Sequence, residues 1–92
     1  MELDDYKLKI FEKYIEDAGS NYESFLKEHD LENETDIAKI NKVKITLIDE
    51  GIAIMGQEDF FKNYLSKSDF NEFKAKRFWK TSFYLYYLVL TF

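Results

Sequence analysis

The chain has no cysteine, no proline and only three glycines. Without cysteine there is no disulfide framework, no thiolate metal site and no thiol nucleophile. Small secreted domains usually carry disulfides, so the cytoplasm is the expected location. Without proline no ring interrupts a helix, and punctuation falls to Gly19, Gly51 and Gly56. Long hydrophobic runs are also missing. The longest, FYLYYLVLTF at 83–92, is short of the roughly 20 apolar residues of a spanning helix, and no membrane contact is expected. The first residues, MELDDYKLKI, are acidic and amphipathic, without the basic start and apolar run of a signal peptide. There is no internal repeat and no low-complexity linker.

Aromatics, in contrast, are plentiful. Of 92 residues 46% are hydrophobic and 18% aromatic, with nine Phe, seven Tyr and one Trp. A chain this short buries only roughly 60–70% of its unfolded surface, so its core must be efficient. Aromatic side chains, each burying roughly 150–250 Å², suit that need. Residues 1–92 are expected to form one domain. The net charge of −5 is unevenly spread. Residues 1–41 hold twelve acids against five lysines, a balance of −7, and residues 42–92 hold six acids against eight bases, or +2. The acidic half repels phosphate and attracts basic surfaces.

Along the chain, Leu3, Tyr6, Ile10, Tyr14 and Ala18 keep the three/four spacing of one helix face over residues 2–18, widened by Phe11 and Ile15. Gly19 supplies a left-handed terminator. Ser20-Asn21-Tyr22-Glu23 reads as a capping box opening a helix over 21–30, followed by an acidic stretch that is either a loop or a loop plus the cap of another turn beginning at Thr35. KVKITLI at 42–48 alternates in the strand period. Asp49-Glu50-Gly51 fits a hairpin loop, with 51–55 returning. The rival is a helix over 35–50 that places Ile37, Ile40, Val43 and Leu47 inward and ends at Gly51. Gln57-Glu58-Asp59 starts another helix with acids at its positive end, carrying Phe60, Phe61, Tyr64 and Leu65. Ser68 is expected to cap a last helix from Asp69. Strand formers fill 83–91, and a third strand there would support a hairpin too weak to stand alone; the alternative is that the helix from Asp69 continues, since nothing between Asp69 and Phe92 firmly breaks it. The expected fold is therefore α+β: about four helices on a small antiparallel sheet of 42–48, 51–55 and 83–91. The alternative is an all-α bundle.

No residue set resembles a catalytic centre. A calcium loop begun at Asp30 would need glycine at its sixth position and glutamate at its twelfth, where Thr35 and Asn41 stand. His29 has no partner at a telling spacing. No phosphate-cradling glycine loop or nucleophile elbow occurs. The expectation is a non-enzyme without cofactor or metal. Bases and aromatics interleave over 67–80, a pattern that holds single-stranded nucleic acid. The same spacing serves a helix with a buried aromatic face, and the net charge opposes phosphate binding. Direct nucleic-acid contact is therefore not favoured.

The remaining candidate is the acidic stretch carrying Glu23, Glu28, Asp30, Glu32, Glu34 and Asp36. Carboxylates on a rigid small domain can imitate a phosphate row and attract a basic protein surface. In size and charge alone the chain resembles the small acidic inhibitors that phages and mobile elements direct at host enzymes. The expected function is a small acidic protein-binding domain that inhibits or regulates a basic, nucleic-acid-handling protein. The alternatives are a toxin-neutralising or immunity-type protein, and a homo-oligomeric module such as a homodimer paired through the C-terminal aromatic segment.

Overall fold

The computed structural model describes residues 2–76. It holds α1 (Leu3–Asp17), α2 (Tyr22–Glu28), α3 (Ile37–Met55), α4 (Gln57–Tyr64) and a fifth helix, α5, over 67–76. No strand occurs among the described residues. The α+β expectation is thereby overturned in favour of an all-helical fold. Residues 42–48 and 51–55 both lie inside α3, and the expected strand at 83–91 lies outside the described residues.

The helix at 42–48 has a physical cause. Val43, Ile45 and Leu47 span barely more than one helical turn, too little to separate a period of 2 from one of 3.6. The longer pattern decides. Ile40, Val43, Leu47, Ile48, Gly51 and Ile52 recur at helical spacing and all are buried or half-buried. Thr46, in a strand-favouring stretch, instead donates its hydroxyl to the Lys42 carbonyl at 2.9 Å, as threonine does within helices. Gly51 is not a turn. Its hydrogen lies against α4 and α1, where an added Cβ would meet Phe60 Cε2 at 2.6 Å and Tyr14 Oη at 3.0 Å. The break comes five residues later at Gly56, whose φ of 91° is open to glycine. It ends α3 and starts α4.

Other boundaries moved less. Asn21, not Ser20, caps α2, accepting from the Ser24 amide at 2.9 Å. Ser66, not Ser68, caps α5, accepting from the Asp69 amide at 3.2 Å. Gly19, at φ 81°, closes α1 as expected. The Ser20 amide reaches the Ile15 carbonyl at 2.8 Å and the Gly19 amide reaches Glu16 at 3.0 Å, the paired bonds of a Schellman motif.

Tyr6, Ile10, Phe11 and Ile15 of α1 form the spine of the core. Phe11 meets Phe25 of α2 with ring centroids 4.7 Å apart, Tyr14 meets Phe60 of α4 at 5.2 Å, and Tyr6 meets Phe73 of α5 at 5.8 Å. Each such pair adds about 0.5–1.5 kcal/mol beyond area burial. Ile48 of α3 fills the centre with no exposed surface. Two ion pairs tie α1 to its neighbours. Lys7, only 8% exposed, meets Asp49 of α3 at 2.6 Å, and Lys9 pairs with Asp69 of α5. Among the described residues no helix is long and apolar enough to cross a membrane.

Candidate protein-binding face

The six carboxylates singled out in the sequence do not act alike. Glu23, in the first turn of α2, pairs with Lys27 at 3.5 Å. Both side chains stand largely in water, so this pair contributes little to stability. Glu28 is the last residue of α2, and His29 comes next as its cap, its ring centroid 5.1 Å from that of Phe25. Asp30 then takes a left-handed φ of 55°, a conformation aspartate tolerates better than most residues. The turn is fixed by the Leu31 amide reaching the Leu26 carbonyl at 2.8 Å. Leu31 is buried, and the loop is thereby held against the core.

The two last carboxylates are spent on local structure. Glu34 Oε1 accepts from the Asp36 amide at 3.2 Å, and Asp36 Oδ1 accepts from the Ala38 amide at 3.0 Å, capping α3. That leaves Glu28, Asp30 and Glu32. All three are exposed, and no ion pair involves them among the described residues. Glu28 and Asp30 also stand at the negative end of the α2 dipole, where carboxylates are disfavoured. Local stability does not explain their placement.

No protein-family model, curated protein or solved structure matches this chain.

The other sequence candidates have structural or local roles. Among the described residues no three histidine or carboxylate groups converge to hold a metal ion. In the basic, aromatic stretch, Phe73 is buried and Phe70 half-buried. Lys74 meets Glu58 at 3.8 Å and lies over the Phe70 ring. The described aromatics of this stretch therefore serve the core, while Phe78, Trp79 and Lys80 lie outside the described residues.

Two features escape a reading of the sequence. One is Lys44, half-buried, its ammonium 4.8 Å from the Tyr22 ring centroid and 5.5 Å from that of Phe11. The other is an open groove of about 470 Å³ between α1 and α3, walled by Asp4, Leu8, Ala38, Lys42 and Ile45 among others. Its signal is present in the sequence. Leu8 and Ile45 are apolar residues off the core stripe of their helices, and an alternation that reads as a strand hides Ile45.

Proposed function

We propose that this domain is a non-enzymatic binding module whose acidic turn, Glu28, Asp30 and Glu32, docks onto a basic protein surface such as that of a nucleic-acid-handling protein, as an inhibitor or regulator. One observation carries the reading: three exposed carboxylates, in no ion pair among the described residues, sit on a turn fixed by the burial of Leu31, at a helix end where charge of this sign is unfavourable. A preformed anionic surface needs little ordering on binding. Its field also speeds encounter with a cationic partner. The site is narrower than the six-residue stretch, because Glu23 is paired and Glu34 and Asp36 hold the loop and the α3 cap.

The test is capture of the cellular partner by the wild-type chain and by the triple variant Glu28→Gln, Asp30→Asn, Glu32→Gln. Asparagine keeps the left-handed turn at position 30, so the fold should be retained. Capture by the wild type should fall steeply with added salt, and capture by the variant should be lost at all salt concentrations. Salt-insensitive capture, or an unchanged variant of equal thermal stability, would rule the acidic turn out.

A further inference from the structure

We propose that the corner where α3 meets α4 is a self-association surface, on which a second copy of this chain docks through Ile54 and Met55 about a two-fold axis. Ala53, Ile54, Met55 and Gly56 are consecutive, exposed and without a polar side chain. Ile54 is 88% exposed and Met55 42%. Single apolar residues on a surface are ordinary, but a contiguous run marks a contact. Helix formation does not call for this run, since isoleucine is a poorer helix former than lysine or glutamate.

The occupant follows from the charges around that pair. Asn63 of α4 donates its side-chain amide to the Met55 sulfur at 3.5 Å, which ties Met55 to that helix. Asp59 is a helical neighbour of both Lys62 and Asn63, three and four residues on, so an acid and a base of α4 flank the Met55 contact. On α3, Glu50 stands one turn before Ile54 on the same stripe. Glu50, Asp59 and Lys62 are all exposed and take part in no ion pair among the described residues. The apolar pair is thus rimmed by charges of both signs. A surface of one sign would meet a like charge there. A second copy related by a half-turn instead brings its Lys62 toward Glu50 and Asp59 of the first, and its own two acids toward the first copy's Lys62. Such a contact is self-complementary, and the flexible methionine thioether adapts to its own image at the centre. The acidic stretch ends at the Asp36 cap, at the other end of α3. Pairing at the Ile54 corner therefore leaves that stretch outside the contact, and the proposal does not depend on what the acidic turn binds.

The test is the mass of the full chain in solution, read by sedimentation equilibrium from micromolar to millimolar concentration. The wild type should rise from one chain mass toward two. Ile54→Glu, at a position already in water, should keep its far-UV circular dichroism and weaken association by about tenfold or more. Charge reversal then identifies the partner as a second copy. Lys62→Glu makes the rim wholly acidic, and Glu50→Lys with Asp59→Lys makes it wholly basic. Each variant alone should remain monomeric, and an equal mixture of the two should dimerise. If Asp59→Lys disturbs the first turn of α4, Glu50→Lys alone serves as the basic mate, with the same expected outcome. A wild type that stays monomeric over the whole range overturns the proposal. So does a dimer that Ile54→Glu leaves intact, which would place the contact on another surface. So does a mixture of folded charge variants that stays monomeric, which would mean that the two rims do not face each other.

Discussion

Gly51 shows how one residue can be read correctly as special and wrongly as to why. Glycine inside a helix costs about 1 kcal/mol relative to alanine, so Gly51→Ala should stabilise α3 if the helix alone mattered. The added methyl would instead meet the Phe60 ring at 2.6 Å. Phe60 is buried among Tyr14, Phe61 and Tyr64 and has little room to swing. Overpacking of this kind costs about 1–3 kcal/mol, which exceeds the helical gain. We expect Gly51→Ala to lower stability by about 1–2 kcal/mol, seen as a lower urea midpoint. A midpoint above wild type would mean that the ring yields. Lys44 belongs to the same scale. Resting over Tyr22 and Phe11, it closes the seam between α1 and α2 with its stem and its charge.

Among the elements, α3 is the one that decides the architecture, and its start is set by a side chain that also belonged to the candidate face. Asp36 caps it through the Ala38 amide. Asp36→Ala should cost about 1 kcal/mol, while Asp36→Asn should be close to neutral, because asparagine caps equally well. Thermal unfolding of the two variants separates the capping role from a binding role. If both lose the same stability, the carboxylate charge rather than the cap is what matters. At the other end, Gly56 joins α3 to α4 with a backbone open only to glycine at little strain. The constraint at Gly56 itself is one of conformation and not of space, since nothing lies within 4 Å of where a side chain would stand.

At the scale of the molecule, α5 is bound to α1 by Phe73 and by the Lys9–Asp69 pair. The Lys9 hydrogen bond, aided by Ser66, holds the Asp69 carboxyl below its ordinary range. A carboxyl lowered by folding adds stability above its unfolded pKa of about 3.9 and loses it as pH falls through the lower folded value. Asp69→Asn should therefore be less stable than wild type near neutral pH, and the gap should close as pH drops below about 4. Urea midpoints at several pH values check this; a gap that persists at the acid end would mean that the carboxylate charge is not the source. The alkaline limb has a different origin. Burial raises Tyr6, with Glu72 beside it, and burial raises Tyr64, with Asp17 accepting its hydrogen bond. Their contribution is present below about pH 10 and is lost as pH rises through the folded values.

Much of the molecule was legible in the residues. The α1 stripe, its Gly19 terminator, the aromatic face of α4 and the burial of Phe73 all come from spacing and residue type, because each is a local consequence of helical geometry. The identity of α3 was not legible in 42–48 taken alone, since seven alternating residues satisfy both periods; the longer stripe from Ile40 to Ile52, with Gly51 packed against Phe60 and Tyr14, goes with the helix. The acidic stretch was visible as charge. Which of its six members are free depended on hydrogen bonds between the loop and its own backbone, and the groove depended on two helices meeting. Sequence by itself settled an aromatic core, a cysteine-free chain and an acidic first half. Tertiary structure alone decided which apolar residues had a partner and which carboxylates were left to water, because both depend on neighbours distant along the chain.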